Sequence, residues 1–176
     1  MNDSKLRKEL ERLHQQSYGW ALTCCYQNSN EAQDVLQTVY LNILVGKAKF
    51  KEFSTFKTWL FAVIKKTAVN HHRKRKVRNL LNIQFQQKKI GRHVEQEIEE
   101  KIDRYQLKLY LRNLLNQLPL RQQEVLQMVF YHDLTIKEAA TIMSVSIGSA
   151  RIHYERGKKK LGALLKKSQV FYEIKS

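Results

Sequence analysis

The side chains best placed to do chemistry sit near the C-terminus. Ser149, Arg151, Ile152, Glu155 and Arg156 share one face of a helical segment that begins at about Ile147, and Lys158, Lys159 and Lys160 follow at its end. A polar, basic helix face of this kind suits the major groove of DNA, where base edges and phosphates are within reach of one helix. Ala150, Tyr154, Gly157 and Leu161 recur on the opposite face at steps of four, three and four, the spacing of a buried stripe. No comparable grouping suggests catalysis. The acidic residues are scattered, and the chain contains no Gly-rich phosphate loop and no serine elbow.

Two shorter elements must hold that helix in place. Thr135 stands three residues before Glu138, the spacing of a capping box, so a helix is expected from about Ile136 with Ala139, Ala140 and Met143 on one face. Ser144-Val145-Ser146 breaks it, and Ser146 is suited to cap the basic helix. With a further helix before them, the two form a helix-turn-helix. Two core helices with a solvated basic face would be the plainer reading. Caps, turn and polarity agree on the DNA-binding one.

The composition fits a nucleic-acid partner. Among 176 residues, 32 are Lys or Arg and 16 are Asp or Glu, a net charge of +16. Residues 1–76 and 104–176 each carry net +8, while 77–103 are neutral, so two basic blocks flank a neutral connector. Such blocks attract phosphate and make binding fall with salt. No apolar run approaches the roughly 18 residues of a membrane span, and no signal peptide opens the chain, so no membrane insertion and a cytoplasmic location are expected.

With one Pro and six Gly, strand-and-turn architectures are disfavoured. Cys24 and Cys25 are adjacent, which rules out an ordinary structural bridge and lacks metal-ligand spacing; they read as buried thiols. His71 and His72 are neighbours on a helix and are expected to project in different directions, so neither a metal nor another cofactor is expected.

The first half is also helical. Leu6, Leu10, Leu13, Trp20 and Cys24 make one apolar stripe from about Ser4 to Tyr26. Asn30 is a candidate cap for a second helix with Val35, Leu36, Val39, Tyr40, Ile43 and Leu44 inward and Glu31, Gln33, Asp34, Gln37 and Thr38 outward, ended by Gly46. An aromatic and basic loop, KFKEFSTFKTWL, then enters a third, long helix that ends in HHRKRK.

These motifs resemble a known family. Glu31-Ala32-Gln33-Asp34, Gln37-Thr38-Val39-Tyr40 and Phe56-Lys57-Thr58-Trp59-Leu60 look like region 2 of a bacterial sigma factor, and Leu118-Pro119 through Leu161 is similar to region 4. Both come in the family's order, over about residues 8–165, with no long region between them. That is the layout of the extracytoplasmic-function (ECF) subgroup of the sigma-70 family.

The resemblance implies roles residue by residue. Gln33, Asp34, Gln37, Thr38 and Leu41 match the surface that docks on the beta prime clamp of core RNA polymerase; Thr38 stands where the family often has an acid. Phe53, Phe56, Lys57, Trp59, Lys66, Asn70 and Arg73 match the part that opens promoter DNA at the −10 element. Opening needs rings for unstacked bases and cations for the backbone. Asn70 matches the position that lines a flipped-base pocket. Ser149, Arg151, Ile152, Glu155, Arg156 and Lys159 match positions that approach the −35 element, where Arg pairs with guanine, Glu accepts from cytosine and Ile gives apolar contact. Ser144 replaces the usual turn Gly. The implied partners are core polymerase (beta prime clamp and beta flap), promoter DNA and an anti-sigma factor.

The expected fold is therefore all-α, with two small helical domains: 1–76 as region 2, 77–103 as linker, 104–168 as region 4 and 169–176 as a tail. The expected function is promoter recognition and strand opening for a polymerase that does the catalysis. The rival readings are a helix-turn-helix regulator of LuxR type and a nucleic-acid-processing enzyme.

Overall fold

A computed structural model of the chain describes residues 3–81 and 104–167. Eight helices make up the regular structure of these residues: α1 (Asp3–Arg12), α2 (His14–Cys24), α3 (Ser29–Leu44), α4 (Phe56–Leu81), α5 (Arg104–Asn116), α6 (Leu120–Phe130), α7 (Ile136–Met143) and α8 (Ile147–Lys166). The connector and tail readings fall largely on 82–103 and 168–176, outside the described residues. The start of that connector is helical, because α4 runs on from Lys76 to Leu81.

The expected stripe on the first segment is buried at Leu10, Leu13, Trp20 and Cys24. The segment is two helices rather than one. The break falls at Leu13, whose backbone opens to φ −95° and ψ 1° while its side chain stays in the interior. The hydrogen bonds Leu13 N–H to Glu9 O and Ser17 N–H to Leu13 O carry across it, so the break is a bend. The cap of α3 is Asn28, not Asn30. Its side-chain oxygen accepts from the Glu31 N–H at 3.1 Å, three residues on, which places Asn30 already inside the first turn. Leu44, expected inward, is half exposed, because it continues the outer row of Gln37 and Leu41. Gly46 closes the helix at φ +73°, a conformation that suits a residue without Cβ.

The two helical units are packed together around one interior. Leu13, Trp20, Val35, Val39, Leu60, Phe61 and Ile64 from the first half join Val125, Met128, Leu134, Ala139, Ile142 and Met143 from the second in a single apolar cluster. Trp20 and Phe61 stack with their centroids 5.7 Å apart, and the Trp20 indole donates to the Phe61 carbonyl at 3.0 Å. Burying such side chains contributes roughly 1.5–3 kcal/mol each. A smaller cluster of Leu115, Leu118 and Leu126 secures α8 on α5 and α6.

Candidate nucleic-acid interface

The helix-turn-helix forms as its local sequence dictates. The Thr135 hydroxyl accepts from the Glu138 N–H at 3.2 Å, and the Glu138 carboxylate accepts from the Thr135 N–H at 2.9 Å, so the capping box is complete. Burial works against that carboxylate's charge, but its hydrogen bonds to Thr135, Thr58 and Thr55 outweigh this and hold its pKa below the usual glutamate value. Ser144 takes the left-handed conformation at φ 54°, the position where glycine is the easier fit. Ser146 caps α8 by accepting from the Ser149 N–H at 3.1 Å.

On α8, Ala150 and Gly157 are buried and Tyr154 and Leu161 half-buried, as the stripe requires. A Cβ built on Gly157 would lie 3.0 Å from Leu126 Cδ1 and 3.2 Å from Gln122 Cβ, so glycine permits the close approach of α8 to α6. The opposite face is free. Arg151, Ile152, Glu155, Arg156 and Lys159 are exposed, and Ser149 is half-buried because its hydroxyl accepts from Ser146 at 2.9 Å. Glu155 pairs with Lys158 at 3.2 Å, and Lys158 also lies over the Tyr154 ring at 4.8 Å. Five side chains of one helix face thus stand in solvent, able to reach base edges or phosphates without rearrangement.

The aromatic loop divides. Phe50, Phe56 and Trp59 form a triangle with centroids 5.2–5.3 Å apart, and Phe56 and Trp59 also pack on the core. Phe53 stands apart, 92% exposed. On α4, Lys66, Asn70 and Arg73 are exposed, while the half-buried Lys57 ammonium donates to the His132 carbonyl. Lys66 and Asn70 line a cleft of about 420 Å³ whose far wall is Arg121, Ile142, Met143 and Ser144 of the second unit. Of the α4 residues expected to act on the −10 element, Lys57, Lys66 and Asn70 therefore face the second unit.

Sequence reasoning missed this contact. Lys65 of α4 forms an ion pair with Glu124 of α6, with only 12% and 3% of the two side chains exposed. The Thr58 hydroxyl donates to Glu138 at 2.8 Å, and the Thr23 hydroxyl donates to Gln127. His132 sits edge-on to Phe61 at 4.8 Å and to Trp20 at 6.3 Å. Burial, with help from Lys57, pushes its pKa down to about 4 against the opposing Asp133, so the ring is neutral near pH 7. A polar side chain on an amphipathic helix reads as solvated until its partner's position is known, and the hydrogen-bonded partners Lys65–Glu124 and Thr23–Gln127 are 59 and 104 residues apart.

The outer face of α3 presents Gln33, Asp34, Gln37, Thr38 and Leu41 together, all exposed. Leu44 and Val45, at 51% and 55% exposed, extend Leu41 into an apolar strip. On the same helix Glu31 is turned to α4. The Nδ1 atoms of His72 and His71 approach its Oε2 at 3.3 and 4.0 Å, so the adjacent imidazoles converge rather than diverge. Cys24 and Cys25 are free and buried, and burial raises both thiols, Cys25 to about 11, which keeps them protonated near neutral pH.

Comparison with known proteins places this arrangement. The family models Sigma-70 region 2 and Sigma-70, region 4 match residues 10–78 and 108–161, in that order. The RNA polymerase sigma factor YlaC of Bacillus subtilis (strain 168) is 24% identical, covering 94% of this chain and 96% of its own. The ECF RNA polymerase sigma factor EcfG of Rhodopseudomonas palustris (strain TIE-1) is 27% identical over 78% of this chain and 73% of its own. Among solved structures, the sigma factor RpoE in complex with the anti-sigma factor NepR from Bartonella quintana shares the fold with a TM-score of 0.70, at 20% identity, over 92% of this chain and 97% of that one. The first half matches sigma-70 region 2 rather than the sensor or receiver half of a LuxR-type regulator. The chain belongs to the sigma-70 family of RNA polymerase sigma factors, in the two-region form of the ECF group.

Proposed function

We propose that the chain binds core RNA polymerase through the outer face of α3, reads the −35 element with α8 and opens the −10 element with α4 and the loop before it. The polymerase does the chemistry, and this chain supplies specificity and strand opening without catalysis of its own. The observation that carries this reading is the presentation of Arg151, Ile152, Glu155, Arg156 and Lys159 on the free face of a capped helix-turn-helix. The apolar strip of Leu41, Leu44 and Val45 beside Asp34 and Gln37 supports α3 as the docking face, since contiguous exposed apolar side chains mark interaction sites. Region 4 is assigned to the beta flap by resemblance alone, and an anti-sigma factor is assigned as a partner because RpoE, of the same fold, is held by one. The described helices include none long and apolar enough to cross a membrane, which accords with action in the cytoplasm.

Both promoter elements cannot be read in the closed arrangement. Elements centred at −10 and −35 are some 25 base pairs apart, roughly 85 Å of B-DNA at about 3.4 Å per base pair. A compact chain of this length has a radius of gyration of about 16 Å. The two units must part on the promoter, which frees Lys57, Lys66 and Asn70 from the facing unit.

The test is transcription with core polymerase on duplex and pre-melted templates. Asn70→Ala and Phe53→Ala are expected to spare closed-complex formation and to impair melting. A stacked base returns about 1–3 kcal/mol, so tenfold or larger losses are expected on duplex DNA. Near-normal activity is expected where the −10 bases are already mispaired. Permanganate reactivity of thymines reports the opening directly. Equal defects on both templates would place these residues in docking or folding instead.

A further inference from the structure

We propose that Glu31, His71 and His72 form a binding site for a divalent cation of the zinc class, which clasps α3 to the C-terminal half of α4. The three residues each direct one donor atom into a space where all donors lie within 4.8 Å of one another. A tetrahedral zinc site with bonds of about 2.0–2.1 Å has donors about 3.3 Å apart. His72 Nδ1 and Glu31 Oε2 already stand at 3.3 Å, and His71 Nδ1, at 4.0 Å from Oε2, must move closer for all three donors to share one ion.

Hydrogen bonding fixes which atoms are free to ligate. His72 Nε2 lies 3.1 Å from the Cys24 carbonyl oxygen. A carbonyl only accepts, so Nε2 carries a proton, and Nδ1, facing Glu31, is the nitrogen that a metal ion would take, displacing any proton there. An imidazole that donates one N–H to a backbone carbonyl and offers its other nitrogen inward has the supporting shell of a metal-bound histidine. His71 Nδ1 is shielded from solvent and makes no hydrogen bond. The carboxylate is divided as well. Oε1 accepts from Asn28 Nδ2 at 3.2 Å and pairs with the half-exposed Arg75, leaving Oε2 to the two imidazoles. Two imidazoles and one carboxylate favour zinc, copper, nickel or iron over calcium or magnesium, which prefer all-oxygen shells. Water would complete the shell.

Arg75 is the natural competitor for Glu31. Its long, partly exposed side chain can remain on Oε1 or swing to solvent. The buried thiols are the other candidate ligands nearby, and spectroscopy separates them from the imidazoles.

The experiment uses the full chain with Zn²⁺ in calorimetry and Co²⁺ in visible and proton magnetic resonance spectroscopy. One equivalent of Zn²⁺ is expected to bind with proton release, and to raise the melting temperature. Co²⁺ is expected to broaden or shift the ring resonances of only two of the six histidines, with no thiolate-to-cobalt charge-transfer band. That measurement needs no variant, so a substitution that fails to fold cannot obscure it. His71→Gln and His72→Gln are each expected to weaken Zn²⁺ tenfold or more. Absence of stoichiometric binding, a thiolate band, paramagnetic effects on other histidines, or unchanged affinity in folded His72→Gln would each overturn the site.

Discussion

Lys65 and Glu124 form an ion pair inside the boundary between region 2 and region 4, each nearly removed from solvent. Arg121 is 3.6 Å from the other oxygen of the same carboxylate. Breaking a buried pair by deleting one partner costs about 3–5 kcal/mol, because the remaining charge is stranded. Lys65→Met is therefore expected to loosen the closed arrangement, with the lower end of that range applying because Arg121 remains. Small-angle scattering should show an increased radius, and the isolated chain should bind non-specific DNA more tightly despite losing a cation. Replacing both residues with apolar ones of similar volume should restore the compact form. An unchanged radius in Lys65→Met would show that the pair does not hold the units together.

His132 gives the same boundary a pH dependence. Its folded pKa is about 4 against an ordinary value of 6.5. The unfolded or opened chain thus binds the proton more readily, so the stabilisation is fully present above about pH 6.5. It is lost as the pH falls toward 4, by an amount on the order of 3 kcal/mol. Denaturation midpoints measured at several pH values should fall over that window. His132→Gln should flatten the fall, and an identical slope in the variant would assign the effect to other groups.

Gly157→Ala should destabilise region 4 by about 1–3 kcal/mol, since the new methyl meets Leu126 and Gln122 across a tight helix crossing. Gly162, with nothing within 4 Å of its would-be Cβ, is the internal control. Gly162→Ala should be stabilising by up to about 1 kcal/mol through helix propensity. Thermal melts of the two variants should move in opposite directions.

Arg151→Ala should relax base preference at one position of the −35 element and lower affinity by about 1–3 kcal/mol there. Lys159→Ala should weaken binding evenly across sequences and reduce the salt slope by about one. Binding selections with holoenzyme separate these outcomes. A uniform loss in both variants would remove Arg151 from base reading.

What could be read in advance was mostly local. Thr135 with Glu138, and Ser146 with Ser149, are caps closed within three residues, and both form as expected. The buried stripe on α8 follows from period alone. Asn28 and Asn30 are both competent caps two residues apart, and only the Glu31 contact selects between them. Leu44 lies near the edge between inner and outer rows, so periodicity placed it wrongly. Lys65 and Glu124 looked like ordinary solvated charges, because nothing local tells a side chain that a helix 59 residues away will cover it. Glu31 and the two histidines are separated in the same way, so their convergence depends on how α3 crosses α4.

The shared interior of the two units also sets a threshold for assembly. If only the parted form engages polymerase and promoter together, the apparent dissociation constant is the intrinsic one divided by the parted fraction. A closure free energy of about 2.7 kcal/mol leaves roughly one molecule in a hundred competent and weakens apparent affinity about a hundredfold. Each loss of about 1.4 kcal/mol at Lys65, Glu138 or His132 recovers a factor of ten until the parted form predominates. The same chain would then run from reluctant to avid, its DNA-reading side chains unaltered, according to how firmly α4 holds α6 and α7.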